Sequence, residues 1–401
     1  MNAAALTPRA PRMRMPSWPS WPPALLLAAA PGCGPDAEDV VAVGVSVDAG
    51  SPATSEGGAA AVSCAGPALG CRADFAAVAF TQAVCSCGDV SVHGVFSTDV
   101  VGSASAAATA SVGVDGALTD AQFVRAGGDL VLAGTSPAVI GGVQTSGDFH
   151  IAAGGVVGGA LAVAGNAWFG ADLTSTGVVS IGGDLHLAPG ATLSALVPAI
   201  VGGATSTSAF ATEAPCLCGA EPPIDVAGVL AAASSTNDDA RLSVPADALA
   251  GASATHEWQW SCATIAVDSV GGAGPLRIDV SGKVALFVQG DVDLPASFVL
   301  ALAPGAELDW YIGGHFAIAA GARVGDVTRP GAVRVYVLGS AGVALPGDTT
   351  VGLSLYAPSA AVTVGGLGYA NGAVFAASVS APLGLIVHDD PLAAAEVCPD
   401  D

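Results

Sequence analysis

Gly127-Gly128-Asp129-Leu130-Val131-Leu132, Gly147-Asp148-Phe149-His150-Ile151, Gly158-Gly159-Ala160-Leu161-Ala162-Val163 and Gly182-Gly183-Asp184-Leu185-His186-Leu187 are variants of one phrase. Each opens with glycine, which suits a turn, and continues as apolar, variable, apolar, which is the two-residue period of a short strand with one face inward. The phrase returns as Gly290-Asp291-Val292-Asp293-Leu294 and Gly313-Gly314-His315-Phe316-Ala317-Ile318. Marked at Gly128, Gly147, Gly159 and Gly183, it recurs at intervals of 19, 12 and 24 residues. Strands this short cannot bury a face alone, so the pattern predicts stacking of neighbours in an all-β, repetitive parallel β-helix or solenoid. A pair of β-sandwich domains is the competing architecture, because frequent turns suit it too.

Composition agrees with a turn-rich β chain. Of 401 residues, 54 are Gly and 26 Pro, and only 11% are charged, which disfavours long helices with paired Glu and Lys. The phrase divides the chain into a first Gly-rich block at 64–215, a cysteine-bounded connector at 216–273, a second block at 274–390 and a tail at 391–401. Within the connector, Ile224 to Ala233 suits a short helix, Ser234 to Asp239 a loop and Pro245 to Leu249 a further helical turn.

The N-terminus reads as an export signal over residues 1–32. Arg9, Arg12 and Arg14 precede the apolar run Ala24 to Ala30, which is too short to span a bilayer, and Pro31-Gly32-Cys33 follows. A small residue before Cys resembles a lipobox, so Cys33 is the expected lipidation site and membrane anchor, with ordinary secretory cleavage as the alternative. Residues 33–63 are mostly small and polar, as a flexible tether would be. Gly34 stands where an inner-membrane retention signal would place Asp, which favours the outer membrane over a periplasmic or secreted destination.

Setting Cys33 aside leaves Cys64, Cys71, Cys85, Cys87, Cys216, Cys218, Cys262 and Cys398, an even set suited to disulfides in an oxidising compartment. Their connectivity stays open. Four sulfurs in Cys85-Ser86-Cys87 and Cys216-Leu217-Cys218 could instead surround a metal, although zinc ligands are usually spaced more widely. The full chain carries 11 basic and 34 acidic residues, a net charge of -23; removing the three leader arginines gives 8 minus 34, or -26. Such a chain repels phosphate backbones, so nucleic acid is excluded as a partner. Glycans, envelope proteins and further copies of the chain remain.

Reactive constellations fail on inspection. His256-Glu257-Trp258-Gln259-Trp260 begins like a zinc-hydrolase motif, but Trp260 holds the second ligand position, and Lys283 follows no phosphate-binding glycine loop. His150 and His186 occupy equivalent strand positions and could share a metal; exposed unliganded histidines are the simpler reading. The Gly-Asp pairs lack the nonapeptide calcium pattern and read as turns. Asp291 and Asp293 should share one face with Asp309 nearby, the arrangement a polysaccharide-cleaving solenoid would need. The expectation is that no catalytic, metal or cofactor site exists.

One resemblance adds to this. Val284-Ala285-Leu286-Phe287-Val288-Gln289-Gly290-Asp291, Arg334-Val335-Tyr336-Val337, Leu355-Tyr356-Ala357-Pro358, Gly372-Ala373-Val374-Phe375 and Ile386-Val387-His388-Asp389 resemble a bacterial surface-protein domain of unknown function. That domain also occurs in predicted lipoproteins and beside pilus-assembly-type proteins. The resemblance spans about 274–390 and implies a solenoidal β-fold without established catalytic residues. The expected function is therefore a non-enzymatic, lipid-anchored surface or matrix scaffold for adhesion or self-assembly, with a polysaccharide-active enzyme as the alternative.

Overall fold

A computed structural model describes residues 73–101, 109–136, 138–219, 223–251, 255–346 and 350–390. These all fall within one compact unit, 59–401. The export signal, the tether, Cys33, Cys64, Cys71, Cys398 and the tail 391–401 lie outside the described residues.

The strands coil into a parallel β-solenoid of about 13 turns. Each full turn lays one short strand on each of three faces, as in Leu130–Leu132, Ala138–Ile140 and Val143–Thr145. In most of the short strands an in-out-in pattern sends two side chains to the axis, the majority of them apolar. Leu161 and Val163 are buried around the half-exposed Ala162, and Ala138 and Ile140 around the exposed Val139. Because every rung repeats this choice, the inward side chains fuse into one continuous core. The pairing is parallel throughout the described strands, which rules out the sandwich alternative.

On the first face of the coil, Leu130, Phe149, Ala167, Leu185 and Thr205 stack in register, at intervals of 19, 18, 18 and 20 residues. The irregular intervals read from the sequence arise because Gly159 belongs to another corner: it leads into Leu161–Val163, which pairs with Val143 and Val179 on the third face. Glycine at these corners is often a matter of clearance. Gly154 takes φ 72°, and a Cβ there would run into the carbonyl of Asp172.

The order of rungs in space differs from the order in the chain. The second block rises through Ala263–Val267, Lys283–Val288, Glu307–Ile312, Val333–Val337 and Ser354–Val364 to Val374–Ala381. That last strand then pairs with Val84–Ser86, the first strand of the first block, through Val84↔Val374, Cys85↔Phe375 and Ser86↔Ala376. On another face Val95 to Val100 pair with Gly384 to Asp389. The stack then continues upward to Thr205–Thr207. Chain start and chain end of the solenoid therefore meet at its middle.

Such an order requires the chain to travel back along the stack. The return segment includes the helix Val226–Ala233, whose N-terminus is capped by Asp225 Oδ1 accepting from the Gly228 amide at 2.8 Å. Strands resume at His256–Trp260 and Ala263–Val267, inside the span 216–273 that the sequence assigned to the connector. The turn Pro245 to Leu249 forms, with Ala248 N–H donating to the Pro245 carbonyl.

Candidate functional site

A single column of outward side chains runs along the first face. From bottom to top, register places Ala266, Phe287, Tyr311, Tyr336, Tyr356, Phe375, Cys85, Gly113, Val131, His150, Trp168, His186 and Ser206 in line. Its lower half is an aromatic ladder. Phe287 and Tyr311 stack with centroids 4.9 Å apart, as do Tyr311 and Tyr336, and Tyr356 and Phe375 follow at 5.0 Å. The return segment covers this ladder: Ile224, Val226, Leu230 and Ala233 pack on it, as does Phe80. Burial pushes the Tyr356 hydroxyl up to about 12. The sequence reading missed the ladder. Its signal was an aromatic inside strands that read apolar on both faces, as in Leu286-Phe287-Val288 and Trp310-Tyr311-Ile312.

Two disulfides fix the return segment where it crosses the column. Cys85 pairs with Cys216 and Cys87 with Cys218, with Cα atoms 5.6 and 5.4 Å apart. The four sulfurs weighed as metal ligands are used in these bonds, and Cys262 is disulfide-bonded as well. Gly113 makes the crossing possible, because a Cβ there would meet Pro215 Cβ at 2.7 Å.

Above the crossing the column is open. His150, Trp168 and His186 stack with centroids 4.0 and 5.0 Å apart and planes within 13° and 15°. The two histidines do share one face, as their spacing suggested, but the Trp168 indole lies between them, so they cannot close on one metal ion. Burial lowers the His150 pKa, which favours the neutral ring between its neighbours. His186 Nδ1 lies 2.8 Å from Ser206 Oγ. Since the ring faces are used in stacking on one another, Trp168 offers its edge to solvent rather than a platform for a sugar.

The Gly-Asp corners have a structural use. Asp129 Oδ1 accepts the Asp148 amide, Asp148 Oδ1 the Asn166 amide, Asn166 Oδ1 the Asp184 amide and Asp184 Oδ1 the Ala204 amide, at 2.7–2.8 Å. Each side chain thus satisfies a backbone donor one rung above. Asp291 does the same for the His315 amide at 2.9 Å.

Of the three acids expected together, Asp291 and Asp293 come close through a shared histidine, and Asp309 stands apart. Asp291 sits at a corner and Asp293 on the second face, and His315 bridges them at 3.0 and 2.9 Å. The hydrogen bond that the His315 ring donates to the Asp293 carboxylate raises the His315 pKa. Asp309 lies on the first face, where Arg334 donates to it at 2.6 Å and to Glu307 at 2.9 Å. Lys283 lies on a strand beside Glu307 at 3.6 Å, and His256–Trp260 is a strand, so its residues four apart never meet as helical ligands would.

The two ends of the stack differ. At the bottom, the segment from Asp238 to Leu249 folds under the first and second faces of the lowest rung, while His256–Trp260 on the third face pairs only with the strand above it among the described residues. Asp238 Oδ2 accepts the Thr264 amide at 2.9 Å, Asp239 Oδ1 the Ala266 amide at 3.0 Å, and the Ala246 and Leu249 carbonyls accept the Asp268 and Gly271 amides. Leu249 and Val244 are buried against the core. At the top, Leu193–Ala195, Ile200–Val201 and Thr205–Thr207 each pair on one side only among the described residues. Inward residues that are sealed one rung lower, such as Phe169, Leu173 and Ile181, give way to partly exposed Leu187, Leu193, Ala195 and Val201. Leu196 and Ile200 are 79% and 63% exposed.

No curated protein and no solved structure matches this chain. The family model that matches covers residues 226–395 and so takes in the helix over the ladder and the lower cap as well as the rungs expected from 274. That part of the chain, from the helix Val226–Ala233 through the last strand of the second block, matches the family described as Domain of unknown function (DUF7305).

Proposed function

We propose that this chain is a non-enzymatic scaffold of the bacterial cell surface, held to a membrane by lipid on Cys33 and presenting its β-stack for assembly. The observation that carries the reading is the unequal treatment of the two ends among the described residues: a dedicated segment covers two faces of the lower one, leaving only His256–Trp260 paired on one side, while the upper one leaves the strand edges of all three faces and core side chains open. Natural sheets blunt exposed edges unless pairing is their use. The side chains once weighed as reactive are engaged in stacking, backbone capping and ion pairs. This supports a structural role over chemistry, and self-assembly over stacking on glycans.

Expression of the full chain and of Cys33→Ala in a bacterium tests this. The wild type should fractionate with the envelope, carry an acylated mass starting at Cys33 and cross-link to itself. Cys33→Ala should leave the envelope and still cross-link. Recovery of the wild type as an unacylated monomer would overturn the reading.

A further inference from the structure

The open rung has an unusual charge environment for this chain. Leu187 to Thr212 contain no charged residue, in a protein of net charge -23. The rungs beneath carry Asp129, Asp148, Asp172 and Asp184 at their corners. Two copies approaching by any of those flanks would meet like charge, whereas the top rung is neutral. Its strand edges also lack the lysines and inward charges that protect natural sheet edges; Pro189 and Pro198 fall outside its strands.

The molecule already contains one edge-to-edge junction, a parallel one. Where Val374–Ala376 meets Val84–Ser86, two rungs remote in sequence join edge to edge across the whole outline of the coil. A rung of this outline therefore accepts another rung without a connecting chain.

We infer that the open rung at 193–207 seats the same rung of a second copy, giving an end-to-end pair related by a two-fold axis perpendicular to the stack. This rests on the scaffold reading and names its partner. Such an axis reverses the sense in which the chain circulates, so strands across the junction run antiparallel. An axis through the first face sets Thr205–Thr207 against its own copy, while Leu193–Ala195 on the second face meets Ile200–Val201 on the third. Each truncated core then continues into the other, covering Leu193, Ala195 and Val201. Assembly stops at two because Asp238 to Leu249 cover the first and second faces at the other end of each stack, so that only the edge of His256–Trp260 is left there and no full rung can be seated.

Sedimentation of the purified full chain at roughly 100 µM, where a pair with Kd of about 10 µM would be mostly assembled, tests the inference. The wild type should be a dimer. Leu196→Lys/Ile200→Lys, at exposed positions that leave the monomer core intact, should weaken pairing at least about tenfold through like-charge repulsion across the junction. Val178→Lys, exposed one rung below, should leave the dimer intact. Unfolding midpoints by circular dichroism confirm that the variants fold. Oligomers insensitive to the double substitution would overturn the end-to-end pair while leaving the scaffold reading standing. Open-ended growth beyond a dimer would overturn the closure. A wild type that stays monomeric would remove both.

Discussion

The two halves of the stack are built on one plan and finished differently. In the second block, rungs of 19–25 residues carry an outward aromatic ladder that the return segment buries, and the lowest rung is capped by Asp238, Asp239 and Leu249. In the first block, from Val112 upward, slimmer rungs of 18–20 residues carry the bare His150, Trp168, His186 column and finish, among the described residues, in an unsealed edge. Identical backbone pairing thus yields a layered, closed region and a thin, open one. The difference lies in whether further chain folds back over the coil, since a parallel ladder has no internal reason to stop.

The sharpest way to break the contrast is to open the closed end. Leu249→Asp places a carboxylate in the buried cap and should cost about 5 kcal/mol. If the fold survives at low temperature, a second edge is exposed, and light scattering should then show open-ended aggregation in place of a limited assembly.

The covered and bare halves of the column should also respond unequally. Tyr336→Ala removes a ring packed between Tyr311, Tyr356, Phe75 and Phe80 and should cost about 3–5 kcal/mol in denaturant unfolding. Trp168→Ala, stacked only on two histidines at a half-exposed site, should cost about 1 kcal/mol. Equal losses would show that the return segment adds nothing to the ladder.

The junction between the halves should be pH-sensitive. Asp389 lies beside Val100 in the register that joins the blocks, and burial, with the charge of Asp390, pushes its pKa up to about 7. A carboxyl with a raised folded pKa binds its proton more tightly in the folded state. Stability is therefore fullest near pH 4 and falls as pH rises towards 7, by an amount on the order of 4 kcal/mol. Asp389→Asn should flatten that slope in unfolding curves taken across the window.

The smallest effect belongs to the surface bridge on the second face. His315 has its pKa raised, chiefly by Asp293, so its contribution is present below about pH 6.5 and lost as pH rises through the raised value. A titration followed by NMR should place its midpoint above 6.5, and Asp293→Asn should bring it down, with little change in melting temperature because both carboxylates are exposed.

Much of this was legible residue by residue. The Gly-Asp corner followed by apolar, variable, apolar gave the short strand, its inward face and the stacking, and Ile224 to Ala233 was recognisable as a helix. The placement of Asp309 was not, because a face assignment needs the corner positions, and corners here vary in length from rung to rung. The aromatic ladder escaped for a similar reason: an aromatic between two apolar residues looks like core until the fold shows that a second layer covers it.

The sequence by itself determined the local coil: which residues turn, which point inward, and that no rung could stand alone. Tertiary structure decided the rest, namely that the second block lies beneath the first, that Val374 meets Val84, and that among the described residues Asp238 to Leu249 fold under one end while the other is left open. Backbone amides and carbonyls offer the same bonds at every rung, so pairing partners are not written in the strands. They are chosen by where the return segment can run, fixed by Cys85–Cys216 and Cys87–Cys218, and by which edges it leaves to be satisfied.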